Sequence, residues 1–227
     1  MSKKLFITGT GTDVGKTYVT GLILKKLKEN GKNPAYYKVA MSGNECAEDG
    51  SFIPGDALYV KNISGIEQPL KQMCPYIYKM AVSPHLASKI EGNPVEFKTA
   101  LENFDKVCDK YDYVTAEGSG GILCPLRFDE VKINLEDFIK ERNLSCVIVA
   151  DAGLGTINAV GLTVSYMNSK NIDIRGIIFN NYEPGNILHE DNLKMCEYIT
   201  HIKVIACVKK GDTDLDIPFD ILESLYR

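Results

Sequence analysis

A chain of 227 residues is long enough for one α/β domain of above-average size, and it can bury about 70% of the surface that its unfolded form exposes. Hydrophobic residues make up 44% of the chain and charged residues 25%, which excludes a disordered or collagen-like protein. The formal net charge of −4 argues against a protein that uses a basic surface to bind nucleic acid or membrane, and no apolar run approaches the roughly 20 residues of a membrane span.

Short apolar runs alternate with helical patterns along the whole chain. Two runs, 146–151 and 174–180, are continuous and rich in β-branched residues, which is typical of strands buried on both faces of a parallel sheet. The alternation predicts right-handed crossovers and a doubly wound, mainly parallel sheet with helices on both faces, in a single domain over residues 1–227. Strands are predicted at 4–8, 34–39, 113–117, 146–151, 174–180 and 204–208, and helices at 15–30, 95–111, 134–142, 156–170 and 186–198.

The strongest motif follows the first predicted strand and opens the first predicted helix, where residues 9–17 read GTGTDVGKT. In such a loop, backbone N–H groups and the helix dipole surround phosphates, the lysine reaches the terminal oxygens, and the threonine hydroxyl binds Mg²⁺. Thr10 takes the place of the usual first glycine, so the loop has one extra residue when counted from Gly9. A dinucleotide fingerprint is rejected, because Val14 stands where its last glycine is needed. We therefore predict nucleotide binding by Gly11, Thr12, Asp13, Val14, Gly15, Lys16 and Thr17.

Charged residues at predicted strand ends are the next candidates. Glu117 ends the third strand and precedes a glycine-rich turn, so it faces the edge of the sheet where ligands bind, and Mg²⁺ on a nucleotide takes one or two carboxylates. Asp56 is either a second metal ligand or a helix N-cap. Lys38 ends the second strand and is either an anion clamp or a solvated strand-end lysine. The long irregular stretch 42–94 is interpreted as a functional insertion, with a helix start at Ser83.

Several segments, taken in order, match one pattern over nearly the whole chain. They are the phosphate loop, Tyr37-Lys38 with Ser42-Gly43, Gly55-Asp56-Ala57, Ser83-Pro84-His85-Leu86-Ala87, Glu117-Gly118 with Gly120-Gly121 and Pro125-Leu126, and Gly155-Thr156-Ile157-Asn158. Together these segments resemble the dethiobiotin synthetases. The resemblance implies a P-loop homodimer that uses ATP, Mg²⁺ and CO2 to close a cyclic urea on 7,8-diaminononanoate, the penultimate step of biotin synthesis.

The resemblance also implies a role for individual residues. The metal ligands are expected to be Thr17, Asp56 and Glu117, and the catalytic residues around the γ-phosphate and the carbamate Thr12, Lys16, Lys38 and Ser42. Asn180 matches the position that reads adenine, and the expected substrate contacts are Ser42, Ser83, Gly118, Gly155 and Asn158, the last from the other subunit. Prolines that are common in the family are replaced by Val39 and Ala81, and segment 206–210 lacks the usual Gly and Pro, which predicts an unusual nucleoside selectivity.

Three other classes of P-loop protein are weighed against a ligase. A partitioning-type ATPase switch carries a signature lysine early in its loop, and residues 10–12 contain none. A GTPase needs an N-K-x-D motif, whereas residues 180–183 read NNYE, and the related amide-forming synthetases usually carry a glutaminase domain for which this chain has no room.

The cysteines and the N-terminal segment bear on the compartment. None of the seven cysteines forms a CxxC pair, so neither a disulfide framework nor a zinc site is expected. The N-terminal segment has too few apolar residues for a signal-peptide core. A cytoplasmic enzyme is therefore predicted.

Overall fold

The computed structural model describes residues 2–227. The strands are β1 (Lys3–Gly9), β2 (Pro34–Lys38), β3 (Ala40–Met41), β4 (Glu45–Cys46), β5 (Phe52–Ile53), β6 (Tyr76–Ile77), β7 (Tyr113–Glu117), β8 (Pro125–Phe128), β9 (Lys132–Asn134), β10 (Ser145–Asp151), β11 (Ile174–Asn180) and β12 (Val204–Cys207). The helices are α1 (Lys16–Glu29), α2 (Gly55–Ser64), α3 (Pro84–Ile90), α4 (Phe97–Cys108), α5 (Leu135–Glu141), α6 (Thr156–Ser169), α7 (Ile187–Thr200) and α8 (Phe219–Ser224). Leu70–Gln72 forms one 3₁₀ turn.

Six strands form one central sheet in the order β12-β11-β10-β1-β7-β2, and all of its pairings are parallel. The chain leaves β1 toward β7 and β2, and it later crosses to the other side of β1 to build β10, β11 and β12. The order therefore reverses between β1 and β10, which is where ligands bind in open α/β sheets. The predicted doubly wound parallel fold is confirmed.

The period-two alternation of β1 supplies a core to each face of the sheet. Leu5 and Ile7 pack with α1, α2 and α8 on one face, whereas Phe6 packs with α3 to α7 on the other. The first helix buries the apolar stripe expected from its sequence, which includes Val19, Leu22 and Leu27. The side chains named here from β1 and α1 are at most 1% exposed, so they are buried from solvent on both faces of the sheet.

All the predicted strands and helices are present, and their ends differ from the predicted ones by at most three residues. The region 42–94 forms short elements, as expected, and α3 begins at Pro84 with Ser83 as its N-cap residue. Pro54, not Asp56, is the N-cap residue of α2, so the interpretation of Asp56 as a cap is wrong; Asp56 lies in the first turn.

Candidate active site

The cleft that holds most of the candidate residues lies at the carboxyl ends of β1, β2 and β7. Lys38 and Glu117 are register partners in the parallel pairing of β2 with β7, so their side chains leave the sheet side by side. The cleft has a volume of about 490 Å³. Nine of the sequence-predicted site residues line it, namely Thr12, Asp13, Gly15, Lys16, Thr17, Lys38, Ser42, Asp56 and Glu117.

The phosphate loop takes the backbone form that its glycines allow. Gly15 has φ of 94° and Asp13 has φ of 59°, both in the left-handed region. A Cβ atom on Gly15 would lie 2.0 Å from the Nδ2 atom of Asn180, so only glycine fits there. Asn180 donates from that Nδ2 atom to the Val14 carbonyl at 3.2 Å, which fastens the loop to the end of β11. α1 then begins at Lys16 and directs its free N–H groups at the loop.

Glu117 is the centre of the polar network in the cleft. Its carboxylate is 1% exposed and accepts hydrogen bonds from the hydroxyl of Thr17 at 2.9 Å and from the ammonium of Lys38 at 2.8 Å, both at Oε1. The hydroxyl of Tyr36 donates to the other oxygen, Oε2, at 3.2 Å. A buried carboxylate with three donors is held in one orientation.

Lys38 lies between two carboxylates. Its Nζ atom is 2.5 Å from Oδ2 of Asp56 and 2.8 Å from Oε1 of Glu117. Burial by itself lowers the pKa of Lys38, but Glu117 and Asp56 outweigh burial, so the pKa lies above its ordinary value. Lys38 is therefore an ammonium that the two carboxylates keep charged.

Lys16 is the second cation of the cleft, and its surroundings favour the charged form less. Its Nζ atom donates to the carbonyl of Gly11 at 2.7 Å. Burial lowers the pKa of Lys16, and the neighbouring ammonium of Lys38 lowers it further. A bound polyanion would offset this repulsion between the two cations.

Two loops at the edge of the cleft carry Gly118 and Ser42. Gly118 follows β7, and its N–H donates to the Ile7 carbonyl, which holds the glycine-rich turn against β1. The Gly43 N–H donates to the Met80 carbonyl at 3.0 Å, so the segment that leads to Ser83 runs beside the loop that carries Ser42. Ser42 lines the cleft, whereas Ser83 is exposed beyond its rim.

The candidates on β11 and at the start of α6 lie outside this cleft. Asn180 is 5% exposed, and its Oδ1 atom has no hydrogen-bond partner among residues 2–227. A second cavity of about 460 Å³ opens next to it. Gly155 and Asn158 are exposed at the start of α6. The second cavity is lined by Asn181, Tyr182, Glu183, Pro184, Lys209 and Lys210.

The sequence interpretation missed two buried polar residues of this region. Tyr36 lies in a fully buried strand, where sequence predicts a core aromatic residue, yet its hydroxyl reaches Glu117. Asn44 follows the Ser42-Gly43 motif, is 6% exposed, and makes three hydrogen bonds through its side-chain amide. For Asn44, a polar residue just after a motif serine is the only signal in the sequence, and it does not predict burial.

The sheet is parallel, and a glycine-rich loop joins β1 to α1. A lysine and a threonine stand at the helix start, and a carboxylate lies at the adjacent strand end. These features define a P-loop nucleotide-binding protein. Among the described residues 2–227, no helix is long and apolar enough to cross a membrane.

Comparison with known proteins gives the particular family. A family model described as an AAA domain matches residues 3–213. The ATP-dependent dethiobiotin synthetase BioD of Brachyspira hyodysenteriae is 49% identical over 95% of this chain and 96% of its own length. The protein of the same name from Clostridium botulinum strain Loch Maree is 45% identical over 100% of this chain and 99% of its own. The chain therefore belongs to the ATP-dependent dethiobiotin synthetases, a family of ATP-dependent ligases in biotin biosynthesis.

Solved structures with low sequence identity confirm the fold alone. The MinC:MinD cell division protein complex of Aquifex aeolicus has a TM-score of 0.55 at 13% identity, covering 99% of this chain and 86% of that one. FlhF complexed with GMPPNP and Mg²⁺ has a TM-score of 0.52 at 14% identity, covering 99% and 74%. A partitioning-type switch is therefore not favoured, because the relatives of high identity are synthetases.

Proposed function

We propose that this protein closes the ureido ring of dethiobiotin from 7,8-diaminononanoate, CO2 and ATP. The observation that carries the proposal is the placement of two lysine ammonium groups, Lys16 and Lys38, in one cleft with the phosphate loop. Family membership supplies the substrates, and the cleft supplies a site for a reaction between two anions.

The chemistry requires positive charge rather than a strong base. In the first step an amine nitrogen bonds to CO2 and releases a proton, which yields a carbamate. A carbamate oxygen then attacks the γ-phosphorus of ATP and ADP departs, leaving a mixed carbamic–phosphoric anhydride. The second amine attacks the carbonyl carbon, phosphate leaves with the bonding pair, and loss of a proton completes the cyclic urea.

The two cations suit the second of these steps. Negative charge accumulates on the transferred phosphoryl group while another anion approaches it, and fixed cations that need no reorganisation stabilise this arrangement. Lys16 follows the loop that surrounds phosphates, and Lys38 is kept charged by its carboxylate neighbours. The hydroxyls of Thr12 and Ser42 line the same cleft and are proposed to orient the γ-phosphate and the carbamate.

The donor set also fits Mg²⁺. The carboxylates of Asp56 and Glu117 both contact the ammonium of Lys38, and the hydroxyl of Thr17 donates to Glu117. Hard oxygen donors of this kind bind Mg²⁺ together with phosphate oxygens. The described residues contain no group of three or more His, Cys, Asp or Glu side chains that could hold a metal alone. Bound in this cleft, Mg²⁺ would neutralise charge on the phosphate oxygens.

Replacing Asp56 with alanine tests this assignment. One of two carboxylates is lost, so the Mg²⁺ concentration for half-maximal activity should rise by at least about ten-fold. Asp220→Ala is the matched control, because Asp220 also lies in the first turn of a short helix, α8, and does not line the cleft. An unchanged Mg²⁺ requirement in Asp56→Ala would remove Asp56 from the metal site.

Substrate-dependent ATP hydrolysis tests the function itself. Phosphate release by the purified protein should require the diamine and bicarbonate together, and one dethiobiotin should form for each ATP consumed. Hydrolysis that proceeds equally well without either substrate would contradict the proposal and would favour a switch-type ATPase. The same assay with GTP and CTP measures the unusual nucleoside selectivity that segment 206–210 predicts.

We also propose that the protein is a homodimer whose active site is shared between subunits. The surface around the start of α6 and α7 exposes large apolar side chains, with Leu154 at 92% and Ile187 at 85% exposure, and such a patch is typical of an interface. At the first residue of α6, the buried hydroxyl of Thr156 has no hydrogen-bond partner in the described part of the chain. With Gly155 and Asn158 this helix start is proposed to receive the substrate carboxylate across the interface.

Three further assignments complete the proposal. The unpartnered Oδ1 atom of Asn180 is an acceptor for the amino group of adenine, next to the second cavity. Ser83 and Gly118 are proposed to contact the diamine from the two loops at the edge of the cleft. A single domain over residues 1–227 and a cytoplasmic location stay predictions.

A further inference from the structure

Asn44 joins three segments that surround the cleft. It follows β3 and is 6% exposed, and its side-chain amide makes three hydrogen bonds to backbone atoms. Its Nδ2 atom donates to the carbonyls of Met41 at 3.0 Å and Tyr78 at 2.9 Å, and its Oδ1 atom accepts from the Gly55 N–H at 3.0 Å.

The bond to Gly55 caps the helix that carries Asp56. The first N–H groups of a helix have no partner within it, and a side-chain oxygen of the N-cap residue normally accepts from one of them. Pro54 occupies the N-cap position of α2 and has no such oxygen. Asn44 supplies the missing acceptor from eleven residues earlier in the chain. The backbone position of Asp56, the next residue after Gly55, therefore depends on Asn44.

The two donated bonds hold the loop that carries Ser42. The carbonyl of Met41 lies directly before Ser42, and the carbonyl of Tyr78 also accepts from the backbone N–H of Asn44 at 3.1 Å. These bonds close the loop onto β6. The side-chain amide of Asn44 thus binds both the loop that carries Ser42 and the start of α2. A displacement of either segment therefore displaces the other.

We propose that Asn44 is a positioning residue that aligns Asp56 with Ser42, and so couples the Mg²⁺ site to the site for the diamine. The inference rests on the proposed function for the roles of those two residues. It adds a residue that touches neither metal nor substrate and acts through backbone groups alone.

Two substitutions distinguish the accepted hydrogen bond of the amide from its two donated bonds. Asn44→Ala removes all three bonds. The Mg²⁺ requirement and the KM for the diamine should therefore each rise about five-fold or more, as expected for loss of a cap and of two buried hydrogen bonds. Asn44→Asp keeps the acceptor for the Gly55 N–H and loses both donors. It should therefore keep a wild-type or lower Mg²⁺ requirement while the KM for the diamine still rises, and the KM for ATP should change little in either variant.

Gln68→Ala is the matched control for loss of a buried amide. Gln68 is 1% exposed, accepts from the Tyr36 N–H at 2.8 Å and donates to the Tyr36 carbonyl at 3.0 Å, and it does not line the cleft. Its loss should lower the melting temperature and leave the Mg²⁺ requirement and the KM for the diamine unchanged.

A binding measurement makes the test independent of turnover. Mn²⁺, used in place of Mg²⁺, is titrated by calorimetry into the complex of each variant with ADP. Asn44→Ala should bind Mn²⁺ about five-fold more weakly than wild type, whereas Gln68→Ala should bind it as wild type does. If Asn44→Ala changes only the melting temperature, as the control does, the proposal is overturned.

Two further outcomes remain decisive. If Asn44→Ala does not fold, Asn44→Asp decides: a raised KM for the diamine with wild-type Mn²⁺ affinity supports the coupling, and no change in either overturns it. If wild type forms no dethiobiotin, the proposed function is wrong. The Mn²⁺ titrations then still show whether Asn44 affects the metal site.

Discussion

Lys38→Ala is expected to lower turnover by about 100-fold or more, the loss that follows removal of one fixed charge-stabilising group from a transition state. The ammonium of Lys38 is buried and bonded to Asp56 and Glu117, so its position is set before substrate binds. The fold should persist, because α1, α2 and the sheet pack through apolar contacts that do not include this side chain.

The affinity of the same variant for a metal ion should rise, although its turnover falls. Without the ammonium, Asp56 and Glu117 lose their shared cation, so Mn²⁺ should bind the nucleotide-free variant more tightly than wild type. Turnover and calorimetric Mn²⁺ affinity are therefore measured on one preparation. Lys98→Ala is the control, since the side chain of Lys98 is 89% exposed on α4, and it should match wild type in both. Near-normal turnover in Lys38→Ala would remove Lys38 from the mechanism.

Mixing two inactive variants is expected to restore activity. Lys16→Ala destroys the phosphate side of a site, and Asn158→Ala destroys the proposed carboxylate contact that the other subunit supplies. If each site takes Lys16 from one chain and Asn158 from its partner, a mixed dimer keeps one intact site. Refolding the two variants together in equal amounts should then give about a quarter of wild-type activity, because half of the dimers are mixed and each has one of two sites.

A double variant gives the reciprocal control. A chain with both Lys16→Ala and Asn158→Ala, paired with a wild-type chain, has no intact site if sites are shared and one intact site if each site lies within one chain. Differently tagged chains allow the mixed dimers to be purified before the assay. Inactive Lys16→Ala/Asn158→Ala mixed dimers together with active dimers of wild type and double variant would contradict a shared site.

The phosphate loop and the sheet could be predicted from the sequence because both depend on local patterns. Continuous apolar runs predict buried parallel strands, and a glycine-rich turn before Lys16 and Thr17 predicts a loop that surrounds phosphates. The positions of Lys38 and Glu117 at two strand ends further implied that both face the same edge. The family resemblance favoured the metal role of Asp56 over a helix cap, and it added roles for Asn158 and Asn180 that no local pattern predicts.

Only the tertiary structure shows how these residues contact each other. The ion pair between Lys38 and Asp56 joins positions 18 apart, and the hydrogen bond from Tyr36 to Glu117 joins positions 81 apart. Such contacts depend on strand register and on the path of the insertion, and neither is encoded by periodicity or composition. For this reason Tyr36 resembled any core aromatic residue in the sequence.

The fold class, the nucleotide loop and the enzyme family could be predicted because each rests on residues that are close in the chain or on many segments matched in order. The bridge that Lys38 makes between two carboxylates, and the cap that Asn44 supplies to a helix eleven residues away, are visible only in the folded chain. A buried polar group must find a partner wherever the folded backbone offers one, so its partner is set by three-dimensional proximity and not by sequence distance.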